Sequence, residues 1–327
     1  MEWRSTLRRA PGHVQRANVH AVKVAELSRD RYRGCLLGLA AGDALGTTLE
    51  FKPPGSFAPL DDMVGGGPFG LQPGQWTDDT SMALCLAESI VETGWDLGDQ
   101  MRRYVRWYRE GYLSSTERCF DIGNITREAL HQFEETGDPL AGPTGDRTAG
   151  NGSIMRLAPV PMRFALDPLL AEARAAESSR TTHGAPVAVG ACRLLCRILV
   201  DALIGVSKVD LLTPGRYMAE TAEITTIARG SFHALTEHDL RASGYVVDTL
   251  VAALWALAST DDFRTGALQA VNLGNDADTT GALYGQLAGA IYGEQGIPVV
   301  WRERLTFHDK IVDLADRLHD LAASGAP

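Results

Sequence analysis

The stretch Gly34-Cys-Leu-Leu-Gly38-Leu-Ala-Ala-Gly42-Asp-Ala-Leu-Gly46 is apolar and carries a glycine at every fourth position. Four residues is close to one turn of α-helix, so these glycines form a bare stripe down one helix face. A glycine inside a helix costs roughly 1 kcal/mol relative to alanine, so four of them require a compensating gain. Close packing against another backbone supplies one. Gly281, Gly285, Gly289 and Gly293 repeat the spacing near the other end of the chain, which predicts a second helix of the same kind. The competing reading puts some of these glycines in turns. Membrane helices use similar stripes, but Asp43 and the shortness of the apolar runs speak against a bilayer.

Between the two stripes the pattern is helix upon helix. Apolar periodicity and closing glycines predict helices over 79–93, 97–110, 124–135, 169–179, 185–204, 217–228, 245–259 and 263–271, with loops over 53–74 and 139–151. Alternating strand patterns are scarce. The expected fold is all-α in one domain over 29–327, with functional loops tied to helix ends. Residues 1–28 differ: Arg4, Arg8, Arg9, Arg16 and Lys23 face few acids, and apolar periodicity is lacking until Val22 and Val24. This segment reads as an N-terminal arm.

At 327 residues, 45% hydrophobic and 22% charged, the chain has ample material for a core. A net charge of -10 argues against a protein that binds nucleic acid by neutralising phosphates. The five cysteines, Cys35, Cys85, Cys119, Cys192 and Cys196, are odd in number and contain no Cys-x-x-Cys pair. They read as free thiols in a reducing compartment. With no bilayer-length apolar run and no signal-peptide core, the expected location is the cytoplasm, with no membrane and no nucleic-acid partner.

Two acid-rich knots sit directly in front of helical runs: Trp76-Thr77-Asp78-Asp79-Thr80 and Asn275-Asp276-Ala277-Asp278-Thr279-Thr280. Either knot alone reads as a helix cap, because Asp and Thr are favoured caps. A cap needs one acceptor, however, and each knot supplies three. Brought together, four carboxylates a few ångströms apart raise one another's pKa or recruit cations, and hard divalent metals are the economical partner. Glu50, just beyond the first glycine stripe, is a candidate fifth carboxylate. Three further signals accompany the knots. Gly150-Asn151-Gly152-Ser153 is a glycine loop able to bring N–H groups to a phosphate or ribose, or an ordinary turn. Asp121-Ile-Gly-Asn124 offers a carboxylate and an amide, and His183 precedes a long apolar helix.

Taken in order, residues 38–51, Trp76–Thr80, Asp121–Asn124, Gly150–Ser153, Thr182-His183 and 274–281 resemble the ADP-ribosylglycohydrolase family, in particular its bacterial dinitrogenase reductase-activating type. The resemblance covers about residues 30 to 305. It implies an all-α hydrolase, a single-domain orthogonal helical bundle with two divalent metal ions, Mg2+ or Mn2+, that removes ADP-ribose from a modified protein side chain. It also implies that Thr77, Asp78, Asp79, Asp276, Asp278 and Thr279 are metal ligands and that Glu50 lies near the first metal. By the same resemblance Asn124, Gly150, Asn151, Gly152, Ser153 and His183 line the ADP-ribose cleft, and Tyr245 lies near the adenine.

Cleavage of an N-glycosidic bond builds positive charge on the ribose and needs a placed water. Asp78 and Asp278 are expected to be essential to catalysis through the metals. Asp121 is the candidate for moving a proton at the leaving group, with Glu50 as its rival. An ADP-ribosylated protein is the expected substrate, most readily ADP-ribosyl-arginine, with ADP-ribose as product. ADP-ribosyl-serine and O-acetyl-ADP-ribose remain open as substrates. Two readings from other classes stand beside this one. The first is a non-catalytic ADP-ribose-binding module. The second is an antitoxin that engages an ADP-ribosylating toxin through its N-terminal arm.

Overall fold

The computed structural model describes residues 27–325, so the expected arm lies outside the described residues except for its last two. Fourteen α-helices run in the order α1 Arg29–Gly46, α2 Asp78–Thr93, α3 Leu97–Glu110, α4 Asn124–Thr136, α5 Pro159–Arg163, α6 Pro168–Arg180 and α7 Pro186–Leu203. They continue as α8 Lys208–Leu211, α9 Ala222–Ala228, α10 Val246–Ser259, α11 Phe263–Val271, α12 Ala277–Tyr292, α13 Val299–Arg304 and α14 His308–Ser324. Among the described residues there is no β-strand, only isolated bridges at Gly66 with Leu71 and Gly150 with Tyr245. The all-α expectation holds.

The glycine stripes explain the centre of the bundle. α1 and α12 lie against each other along their whole length, antiparallel, with Gly34 opposite Gly289, Gly38 opposite Gly285, Gly42 opposite Gly281 and Gly46 opposite Ala277. A Cβ added at Gly42 would run into the carbonyl oxygen of Gly281, and one at Gly281 into that of Gly42. Only glycine lets the two backbones approach this closely. Almost every residue from Gly34 to Leu49 is buried, and so are the first fourteen residues of α12. This pair is therefore the axis of the core, with α2, α7, α10, α11 and α14 packed around it.

Four details differ from the sequence reading. Gly293 lies just beyond α12 and closes it at φ 73°, with its backbone still against Gly34. The helix expected over 217–228 begins only at Ala222, because Thr221 accepts a hydrogen bond from the Ile224 N–H and caps it there. Tyr245 stands just before α10 rather than inside it. The C-terminal α14, absent from the expected set, buries Ile311, Leu314, Ala315, Leu318 and Ala322. That spacing is an ordinary amphipathic stripe.

The pairing of α1 with α12 positions the site. It sets the N-terminus of α12 beside the C-terminal end of α1, and α2 starts at the same place. Both acidic knots therefore arrive at one end of the bundle.

Candidate active site

Ordinary helices of this chain cap themselves: Asp96, Asp167, Thr221 and Asp262 each accept a backbone N–H from the helix that follows. Thr77 and Asp276, in front of α2 and α12, do not. Asp43, from the last turn of the glycine-striped helix, caps α2 instead. Its Oδ1 accepts from the Thr77 N–H at 2.9 Å and the Thr77 hydroxyl at 3.0 Å. Its Oδ2 accepts from the Thr80 N–H at 3.0 Å and the Thr80 hydroxyl at 2.6 Å. Capping by a residue from another helix leaves the carboxylates of Asp78 and Asp79 free of local duty. Asp43 was missed as a site residue, although a lone acid inside an apolar, glycine-spaced run was a visible signal.

The knots meet in space. The Thr77 hydroxyl lies 3.1 Å from Oδ2 of Asp278, and the Thr279 hydroxyl lies 3.4 Å from Oδ1 of Asp79. Two groups of carboxylates have oxygens within 4.8 Å of one another: Asp78, Asp79 and Asp278, and Glu50, Asp121 and Asp278. Asp278 is common to both. Asp276 is held at their edge by the Asn151 amide, which donates to its Oδ2 at 2.7 Å and to the Thr249 hydroxyl at 2.9 Å.

These acids form the floor of a cleft of about 890 Å³, a volume suited to a nucleotide-sized ligand. Glu50, Asp121, Asn124, Gly150, Asn151, Gly152, His183 and Thr279 line it together with Asp78, Asp79, Asp276 and Asp278. Three of the expected site residues lie outside this lining. Thr77 is buried beneath the floor. Ser153 is buried with its hydroxyl bonded to Ser179 at 3.0 Å and Cys192 at 3.4 Å. Tyr245 pairs its backbone with Gly150 while remaining 38% exposed, and its neighbours Ser243 and Gly244 are the ones that face the cleft.

The floor is electrostatically incomplete. Burial, reinforced by the neighbouring acids, pushes the Glu50 carboxyl up to about 10. Burial likewise lifts Asp121 to about 7, and Asp78, Asp79 and Asp278 well above the usual carboxylate range. Asp43 rises only to about 6, because burial is opposed there by the hydrogen bonds from Thr77 and Thr80. Glu50 Oε2, Asp79 Oδ2 and Asp278 Oδ1 are buried with no hydrogen-bond partner among the described residues. A buried carboxylate oxygen without a donor is costly. An all-oxygen donor set that leaves such atoms orphaned fits a hard divalent cation. Beside the floor, the wall made by the 150–152 loop and His183 has no carboxylate.

A helical bundle that gathers acids from α1, α2, α12 and the 121–124 turn into one cation-seeking floor under a nucleotide-sized cleft defines a metal-dependent hydrolase of the all-α kind. The comparisons with known proteins make the class particular. The ADP-ribosylglycohydrolase family model matches residues 25–327, and the chain belongs to that metal-dependent family of enzymes, which remove ADP-ribose. It is 45% identical to the ADP-ribosylarginine hydrolase Tri1 of Serratia proteamaculans, over 90% of this chain and 80% of that protein. It is 37% identical to the ADP-ribosyl-[dinitrogen reductase] glycohydrolase of Rhodospirillum rubrum, over 84% of this chain and 90% of that one. A solved structure described as an ADP-ribosylglycohydrolase-related protein complex superposes with a TM-score of 0.80 at 44% identity, covering 90% of this chain and 98% of that chain. Among the described residues no helix is long and apolar enough to cross a membrane.

Proposed function

We propose that this chain cleaves the N-glycosidic bond between ADP-ribose and an arginine side chain of a modified protein, releasing ADP-ribose. The observation that carries the reading is the set of orphaned, buried oxygens of Glu50, Asp79 and Asp278 beneath the cleft. The names of the relatives from Serratia and from Pseudomonas putida, the latter 46% identical over 91% of this chain and 80% of that protein, support arginine as the linkage.

Asp78, Asp79, Asp276, Asp278 and Thr279, with Thr77 beneath them, would hold two divalent cations, Mg2+ or Mn2+, and Glu50 and Asp121 flank the position. When bound, such ions supply charge neutralisation, a fixed pose for the ribose hydroxyls and polarisation of the attacking water. The protein's own share is orientation and proton handling. Asp43 fixes Thr77 and Thr80, and through them the first turn of α2. Asn151 fixes Asp276. Hydrolysis adds the water oxygen to the anomeric carbon, breaks the bond from that carbon to the guanidine nitrogen and requires a proton to follow the departing nitrogen. Asp121, held at φ 60° beside Glu50, is our candidate to move that proton, with Glu50 as the second acid. The 150–152 loop, Asn124 and His183 take the nucleotide portion.

We further read residues 1–28 as an arm preceding one catalytic domain over 29–327. The clustered arginines of the arm motivate a role in docking a partner such as an ADP-ribosylating toxin. Deleting residues 1–28 and measuring partner binding tests that role, and undiminished binding removes it. The five free thiols support a reducing, cytoplasmic setting.

The decisive experiment is a hydrolysis panel of ADP-ribosyl-arginine, ADP-ribosyl-serine and O-acetyl-ADP-ribose with added magnesium or manganese. Turnover of the arginine conjugate that chelator abolishes is the expected result. Turnover confined to the other two substrates, or undiminished in excess chelator, refutes the reading.

A further inference from the structure

Arg156 is fully buried, yet it pairs with no carboxylate among the described residues. Its Nη1 donates to the Gly152 carbonyl at 3.0 Å, and its Nη2 donates to the hydroxyls of Thr181 at 3.1 Å and Thr182 at 2.7 Å. The guanidinium lies over the Tyr104 ring, 4.6 Å from its centre. A cation buried without a counter-charge is expensive. What it does here is tie the 150–153 loop to the 181–183 turn, the two parts of the cleft wall.

The donor and acceptor rules then fix the next link. A guanidinium has only donors, so the Thr182 oxygen accepts from Arg156. Thr182 is fully buried, and its single hydroxyl hydrogen has one acceptor in reach, Nδ1 of His183 at 2.9 Å. If Nδ1 carried the proton, the Thr182 hydrogen would be buried without a partner, which costs about 1–3 kcal/mol. Nδ1 is therefore the bare nitrogen and Nε2 carries the hydrogen. Nε2 has no partner among the described residues, and the ring edge bearing it lies against Gly150 and Gly152. A Cβ built at Gly150 would stand 3.2 Å from Nε2, and one at Gly152 would stand 2.8 Å from Cε1.

We infer that Arg156, acting through Thr182, is a positioning residue that locks His183 as a neutral imidazole with its proton on Nε2, so that the cleft wall presents one fixed hydrogen-bond donor. Burial, with the nearby Arg156 charge, holds the imidazolium form down to about 3, consistent with a donor that never becomes a cation. Such a group selects a hydrogen-bond acceptor, such as a phosphate or ribose oxygen of the ligand. It leaves charge neutralisation to the floor. This inference rests on the reading that ADP-ribose occupies the cleft, but its structural half is measured without ligand.

The test uses the full chain labelled with 15N-histidine, with the His183 signals assigned by their loss in His183→Gln. Long-range 1H–15N correlation should show Nδ1 unprotonated and Nε2 protonated in the wild type and in Thr182→Ser. Thr182→Val, which keeps the side-chain volume, should show mixed tautomers and a KM for ADP-ribosyl-arginine raised roughly tenfold. In that variant kcat should change much less, and Thr182→Ser should restore KM. A proton on Nδ1 in the wild type overturns the inference, as does an unaltered tautomer or an unaltered KM in Thr182→Val. A melting temperature near that of the wild type confirms that Thr182→Val is folded; Thr182→Ala replaces it if it is not. Failure of the arginine-hydrolysis reading would appear separately, as absent wild-type turnover with the predicted tautomer intact.

Discussion

On the floor of the cleft, carboxylate oxygens of Glu50, Asp79 and Asp278 are buried without partners. On the wall, the hydroxyls of Ser153, Ser179, Thr181 and Thr182 are all hydrogen-bonded within the protein. The floor crowds buried acids together and calls for protons or a cation to complete it. The wall's hydroxyls named above are satisfied within the protein, although Arg156 Nε and Ser178 Oγ are buried without a partner among the described residues, and it presents neutral, oriented groups. The two regions have different energetic origins: the glycine-to-glycine contact of α1 with α12 forces the acids together, whereas the buried Arg156 draws the wall together. Floor variants should thus trade function against the stability of the metal-free chain, and wall variants should have smaller effects on either.

The largest effect belongs to the floor. Asp78→Ala or Asp278→Ala should lower kcat/KM on the order of a thousandfold or more while helical circular dichroism is unchanged. In chelator, Asp278→Asn should melt above the wild type, because one of the repelling buried acids is gone, and it should gain little from added magnesium or manganese. Full activity in the alanine variants, or a lower melting temperature for Asp278→Asn in chelator, breaks the contrast. Next comes the contact that assembles the floor. Gly42→Ala sets a methyl against the Gly281 carbonyl oxygen, and neither backbone can yield without moving its helix. A loss of roughly 3 kcal/mol or more is expected by denaturant unfolding, together with weaker metal binding. An unchanged unfolding midpoint would separate the stripes from the site.

A third effect is the pH dependence of the metal-free chain. A carboxyl whose folded pKa lies above its unfolded value contributes stability that is fully present below the unfolded pKa and is lost as pH rises through the folded one. Asp43 at about 6, Asp121 at about 7 and Glu50 at about 10 all lie on that side. In chelator the melting temperature should therefore fall as pH rises from about 4 through 7 and onward toward 10. Divalent cation should restore it most at the alkaline end. A metal-free melting temperature that rises over that range would contradict the charge balance drawn for the floor.

Much of this was legible in the sequence because each feature is local or periodic. The glycine spacing announced two closely packed helices, and the surplus of acceptors in each knot announced something beyond a cap. The partner of a stripe is not local, so nothing in residues 34–46 says that they meet residues 277–289 in antiparallel register. Asp43 escaped notice for the same reason: its acceptors serve Thr77 and Thr80, more than thirty residues away. Tyr245 and Ser153 belong to segments that border the cleft, but the direction of a side chain at a helix start or behind a loop is set by tertiary packing. The helix α14 was readable from its apolar spacing alone.

The smallest effects separate the two sides of the wall. Gly152 and Ser153 are adjacent, yet Gly152 borders the cleft against the His183 ring while the Ser153 hydroxyl points behind it to Ser179 and Cys192. Ser153→Ala removes a buried hydrogen bond and should cost about 1 kcal/mol of stability, with KM for ADP-ribosyl-arginine changed less than about twofold. Gly152→Ala sets a methyl 2.8 Å from His183 Cε1 and 3.1 Å from Thr126 Oγ1, so the held imidazole must shift and KM should rise severalfold, with a modest loss of stability. The opposite assignment, with KM sensitive at Ser153 and indifferent at Gly152, would place the ligand behind the loop. The wall would then no longer be the neutral counterpart of the floor.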